Sequence, residues 1–182
     1  MTRVVPRLPL FMLVVVCSLV SVVRADDSVL GEQRIRLAIE RSLALLEQTS
    51  ATTADMRTCF TCHGQAQPVI AFVEARRRGF HASPVNIRRQ VQHTYAHLKR
   101  GQKQYAEAKG QGGQVDTAGY ALWTLEAGDL QPDAVTDAVI GYLLKKQDET
   151  GYWPASSNRP PSEASQFTTT YLALRPDCVC WR

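Results

Sequence analysis

The 182-residue chain lacks several features that would point to common functions. No stretch alternates apolar and polar residues for long enough to read as a half-buried strand, which argues against a β-rich fold. Methionine is scarce, and Met56 is the only one beyond the first 25 residues. Histidine is limited to His63, His81, His93 and His97. Excess positive charge is thin as well. The net charge of +4 includes Arg3, Arg7 and Arg24, with no acid before Asp26, so the chain from residue 26 onward carries only +1 (4 − 3). That excludes nucleic-acid binding by a broad basic surface. The clusters Arg76–Arg78 and Arg88–Arg89 read as solvated helix faces.

What is present begins with an export signal. Arg3 and Arg7 precede an almost wholly apolar run from Leu8 to Val23, and Val23-Arg24-Ala25 offers a cleavage site before Asp26. Residues 1–25 are therefore expected to be removed, which predicts a periplasmic or secreted chain with no integral membrane span; an uncleaved anchor is the rival reading. Val16 is too bulky before Cys17 for lipidation there.

The rest reads as six helices. Ile35, Leu37, Ile39, Leu43 and Leu46 recur at helical spacing and predict a first helix from Glu32 to Gln48, with a polar loop over Thr49–Thr58. Pro68 suits the opening turn of a second helix that stops near Gly79, and Ser83-Pro84 opens a third. A fourth spans Val115–Ala127 and ends at Gly128, a fifth follows Pro132, and a sixth runs from Gln166 to Pro176. The helices fall into three pairs with a period near fifty. Gly79 and Gly128 each close a second helix, Gln48 and Gln147 each end a first, and Thr117-x-x-Tyr120-x-x-Trp123 parallels Thr168-x-x-Tyr171-x-x-Leu174. The expected fold is all-α: about three stacked α-hairpins over residues 26–175, then a short tail at 176–182.

One motif suggests the kind of repeat. Tyr142-Leu143 followed by Gln147, Gly151 and Trp153 resembles the QW motif of the squalene cyclase and prenyltransferase repeat family. The resemblance implies part of an α/α toroid, in which Gln147, Gly151 and Trp153 have a structural role between hairpins. It does not extend to cyclase activity, because the chain has no Asp-x-Asp-Asp acid cluster and holds about half the hairpins of a closed toroid. No catalytic residue is expected, and an isoprenoid-converting enzyme is the least favoured function. An array ending after a barely formed sixth helix would expose an apolar face, which predicts a second copy or a longer array beside it.

The chemistry is concentrated at Cys59-Phe60-Thr61-Cys62-His63. Cys-x-x-Cys-His is the attachment pattern of haem c: two thiols on one turn reach both vinyl groups, and the next residue offers imidazole to the iron. Secreted bacterial proteins that join this motif to squalene-cyclase-like repeats are what the chain resembles most. The resemblance implies thioethers at Cys59 and Cys62, His63 as proximal ligand, and an unnamed redox partner. A disulfide or thiol-redox pair, a zinc site and chance remain alternatives, although a thioredoxin-like site calls for a βαβ setting. For the sixth iron position, Met56 lies too close to the motif. His93 and His97 share one face of the third helix, and either of them or His81 can serve; an open position is the other choice. The plain alternative is a polar surface helix with Gln90, Gln92, Lys99 and Arg100 as neighbours. A haem-free periplasmic binding scaffold is the second functional expectation. Cys178 and Cys180 are spaced badly for a mutual disulfide.

Overall fold

Six α-helices and one π-helical turn make up the regular structure in the computed structural model, which describes the backbone at 10–155 and 165–179 and side chains at 29–155 and 165–175. The expectations for Arg3, Arg7 and Cys180, and for the side chains of the apolar run, the cleavage site, Cys17 and Cys178, lie outside the described residues. The helices are α1 (Leu10–Met56), α2 (Gln67–Arg77), α3 (Pro84–Ala106), α4 (Gln114–Ala127), α5 (Ala134–Lys146) and α6 (Gln166–Val179). Among the described residues there is no strand, so the fold is all-α. Among the same residues no helix is long and apolar enough to cross a membrane.

The chain divides into two units, Met1–Ser42 and Leu43–Arg182. In the first, Val29, Leu30, Ile35 and Leu37 of α1 are exposed. The apolar face read from Ile35 onward is thus buried only from Leu43, which lies in the second unit. The expected end at Gln48 and the loop over Thr49–Thr58 are both corrected, since α1 continues to Met56. The reason is local. Thr49, Thr52 and Thr53 each donate a hydroxyl to the carbonyl four residues back, at 3.0, 2.9 and 2.9 Å, so residues that favour loops satisfy themselves inside the helix.

In the second unit the helices form two rows. Helix α4 packs on α2 and α6, while α3 packs on α5 and, through Ser50 and Asn86, on the end of α1. Each row is built from alternate helices, as stacked hairpins require. The contact of α4 with α6 is close because Gly119 has no side chain: a Cβ there would sit 2.7 Å from the Leu172 carbonyl oxygen. Around it Trp123 meets Tyr171 edge-on at 6.1 Å, the Arg175 guanidinium lies 4.3 Å from the Trp123 ring centre, and Thr169 donates to the buried Asp116 carboxylate at 2.7 Å.

The connections repeat at an offset of fifty, with one change of register from the sequence reading. After α2 the left-handed residue is Gly79 (φ +80°); after α4 it is Asp129 (φ +60°), not Gly128. In both, the next amide closes the turn: Phe80 N–H to the Ala75 carbonyl at 2.9 Å and Leu130 N–H to the Leu125 carbonyl at 3.0 Å. Gly128 is small for another reason, since a Cβ would collide with Val91 of α3 at 2.2 Å. Four residues beyond each left-handed position stands the cap of the next helix, Ser83 for α3 and Asp133 for α5.

Asp133 does the most at its junction. Its carboxylate accepts from the amides of Val135 and Thr136, and from the Tyr95 hydroxyl of α3 at 2.6 Å. Burial raises its pKa, but these donors outweigh burial and hold the carboxyl below its ordinary 3.8. A depressed folded-state pKa stabilises the fold above the unfolded value, and that contribution is lost as pH falls through the folded value. Asp133→Ala is therefore expected to lower stability at pH 7 by about 1–2 kcal/mol, the usual range for a lost helix cap. In urea unfolding the difference from wild type should shrink as pH drops below 3.8.

Candidate functional site

The Cys-x-x-Cys-His segment lies between α1 and α2, in the connection of the first hairpin. Thr61 is extended, and Cys62–Ala66 forms a π-helical turn that runs directly into α2. Such wide turns are uncommon and concentrate at functional sites. Cys59 and His63 are exposed, whereas Phe60 and Cys62 are buried at 7 % exposure each.

A side chain two positions past His63 holds this turn. Gln65 is fully buried, and every polar atom of its amide is used. Its oxygen accepts from the Thr61 amide at 3.0 Å, and its nitrogen donates to Gln90 Oε1 at 3.0 Å and contacts His93 Nδ1 at 2.8 Å. Because an amide NH₂ only donates, His93 Nδ1 accepts, which places the ring proton on Nε2; that nitrogen donates to the Arg57 carbonyl at 2.7 Å. Gln90, also fully buried, donates to the Ser50 carbonyl at 3.1 Å and to Asn86 Oδ1 at 3.0 Å. The reading of α3 as a polar surface helix is thereby corrected at Gln90, which sits inside a network joining α1, the motif and α3.

The same face of α3 grips the rest of the segment. Arg89 pairs with Asp55, and Arg100 donates to the Thr58 carbonyl. With His93 on the Arg57 carbonyl, three side chains of one helix hold residues 55–58 in place.

Beside this clamp lies a cavity of about 660 Å³, within the usual range for small-molecule and cofactor sites. Cys59, Cys62 and His63 line it from the motif, and His97 lines it from α3. Gly112 and Gly113, from the connection of the second hairpin, also line it. The cavity therefore lies where two successive hairpin connections meet. His97 Nε2 is buried with no hydrogen-bond partner, and its ring lies 6.1 Å from that of Phe60. Burial, with the nearby charge of Arg100, pushes the His97 pKa down to about 4, so the ring is neutral at pH 7. Tyr105 is fully buried nearby, its hydroxyl also without a partner. Burial first, then Tyr142 and Cys62, raise its pKa.

Of the residues expected to attach haem or ligate its iron, the structure gathers Cys59, Cys62, His63 and His97 around one cavity and leaves the others out. His93 has both ring nitrogens engaged and His81 is exposed; neither lines the cavity. Met56 is 79 % exposed at the end of α1. Among the described residues no group of three or more His, Cys, Asp or Glu could hold a bare metal ion. The haem pattern fits on different grounds: both thiols and the adjoining imidazole share a cofactor-sized cavity, and the helix beside it supplies an imidazole nitrogen that nothing else occupies.

Gln147, Gly151 and Trp153 form a separate arrangement in the connection between α5 and α6. Gln147 Nε2 donates to the Gly151 carbonyl at 3.0 Å, and Gly151 takes φ +88°. Trp153 is 1 % exposed; its indole N–H donates to the Leu143 carbonyl at 2.7 Å, and its backbone amide donates to Thr170 of α6 at 3.2 Å.

Comparison of the chain with family models, curated proteins and solved structures gives no match.

Sequence reasoning missed Ser50, Gln65 and Gln90. Glutamine is usually exposed, and nothing in its spacing here marks burial. Removing the central amide tests the clamp. Gln65→Leu strands the Thr61 amide, Gln90 Oε1 and His93 Nδ1 in the interior, and is expected to lower unfolding free energy by about 2–4 kcal/mol in urea titration. Gln67→Leu on the exposed side of the same segment should change it by less than about 0.5 kcal/mol.

Proposed function

We propose that this is an exported haem-binding protein of cytochrome c type, built on a helical-repeat scaffold. One observation carries the reading: both cysteines and the histidine of a Cys-x-x-Cys-His segment line a single cavity of about 660 Å³. Cys59 and Cys62 would hold haem as thioethers, and His63 would be the proximal ligand. Bound haem supplies a one-electron couple or, with an open iron position, a site for a small ligand. The chain's own part is to fix the loop. Gln65 and the α3 side chains His93, Arg89 and Arg100 anchor the segment from Asp55 to Thr61, and Phe60 and Cys62 tuck inward.

Two features of the sequence support the setting. The basic start, apolar run and Val23-Arg24-Ala25 site suit export, and the attachment of haem to such motifs takes place outside the bacterial cytoplasm. The hairpin rows, with Trp153 bonded across its own hairpin, support the likeness to squalene-cyclase-type repeats as part of an α/α toroid. Electron exchange with a partner protein is the role this scaffold would serve.

A haem-free binding scaffold is favoured by a different observation. An apolar hollow of about 440 Å³ is lined by Tyr152, Phe167, Tyr171 and Leu174, all exposed, with Phe167 at 88 %. Exposed apolar surface of this kind marks contact sites.

The two readings part in one experiment. Expressed with its own leader in a host that matures c-type cytochromes, the wild-type chain should show a sharp reduced α band, and the colour should stay with the protein through acid-acetone extraction. The Cys59→Ala, Cys62→Ala double variant should lose all of that retained colour. A colourless wild type would leave the binding scaffold.

A further inference from the structure

Resting on the haem reading, we propose that His97 is the second axial ligand, so that the iron is held between two imidazoles, one from the motif and one from α3. Buried polar groups in folded proteins nearly always have a partner, and one without a partner asks for an explanation such as a bound group. His97 Nε2 is shielded from water and has none. His97 is also part of the wall of the cavity that Cys59, Cys62 and His63 line. A ring nitrogen with no other partner, on a residue of the wall beside a haem-attachment motif, suits an axial ligand, because the neutral imidazole can bind metal through it.

The other donors are accounted for. His93 stands one turn before His97 on the same helix, but its Nδ1 accepts from Gln65 and its Nε2 donates to the Arg57 carbonyl. Recruiting it would break the clamp that holds the motif. His81 and Met56 are exposed and do not line the cavity.

The surroundings of His97 fix its place. Arg89, His93 and Arg100 share its face of α3 and bind residues 55–58, so α3 cannot drift from the motif without breaking three contacts. Gln111, from the connection of the second hairpin, donates to the His97 carbonyl at 3.3 Å. Its side chain fits there because residue 101 of α3 is glycine; a Cβ would lie 2.2 Å from the Gln111 carboxamide carbon. A ligand so preset favours a closed, six-coordinate iron. That selects electron transfer over small-ligand sensing as the work of the site.

The test reads spin state, not turnover. Haem-loaded wild type is purified and examined in the ferric form by low-temperature electron paramagnetic resonance and visible absorption, beside His97→Ala, His97→Met, His93→Ala and His81→Ala. Wild type is expected to be wholly low-spin and to resist carbon monoxide when reduced. His97→Ala should lose the low-spin signal, bind carbon monoxide readily, and recover the low-spin signal when imidazole is added. His81→Ala should match wild type. A haem-loaded wild type that is high-spin overturns the assignment alone. So does a low-spin signal that survives His97→Ala, or one that vanishes in His81→Ala; His97→Met, which puts a thioether in the same place, should stay low-spin with an altered spectrum. A wild type without haem overturns the haem reading and this assignment with it. A high-spin wild type overturns the assignment even where a variant fails to fold.

Discussion

The Gln65 carboxamide is the contact on which the rest of the site depends. It is one planar group with one acceptor and one donor nitrogen, and it closes three bonds at once inside the protein: to the backbone of the motif, to Gln90 and to His93. An interior amide is stabilising only when all of its polar atoms are satisfied, and this one meets that condition. The consequence is a defined arrangement. With the amide oriented by Thr61 and Gln90, His93 takes a single tautomer, and its remaining proton holds the Arg57 carbonyl. Thus a loop carrying two thiols and an imidazole is tied to a helix it meets only in three dimensions, and His97, one turn further along that helix, is brought to the same cavity.

The scaffold explains why the cavity lies where it does. Alternate helices form two rows, and the connections of successive hairpins come together at one end. In the third hairpin that connection carries Trp153, which fills the space with an indole that donates to the Leu143 carbonyl, while its backbone amide donates to Thr170. The first hairpin has no tryptophan in the corresponding stretch, only Cys59, Phe60 and Cys62 beside a cavity. In the proposed reading a prosthetic group takes the volume that an aromatic side chain takes elsewhere in the repeat.

Much of this was legible in the sequence, and the misses have physical causes. The all-α fold, the helix starts at Pro68, Ser83 and near Pro132, and the period of about fifty all follow from apolar spacing and cap chemistry. The end of α1 was misplaced because threonine and serine look like loop residues until their hydroxyls are seen bonding the preceding turn. Gly128 ends α4 as its position in the sequence suggests, yet it is not the left-handed residue that glycine usually supplies after a helix. The chain instead places Asp129 in the left-handed position and keeps Gly128 small for Val91. Cys59, Cys62 and His63 declare themselves as a group by spacing alone. His93 and His97 cannot be told apart by spacing, since i and i+4 share a face. Only the tertiary partners distinguish a histidine with both nitrogens hydrogen-bonded from one whose buried Nε2 has no partner. The glutamines of the clamp carry no signal in a single sequence, because burial of an amide is decided by partners far along the chain.

The account stands on a covalent bond between this chain and a porphyrin, and the most direct measurement is the intact mass of the exported, purified polypeptide under denaturing conditions. The account predicts the mass of the mature chain plus one haem, with the extra mass mapping after proteolysis to the peptide that contains Cys59 and Cys62. A mass equal to that of the amino acids alone, from a host that matures other c-type cytochromes normally, would contradict it.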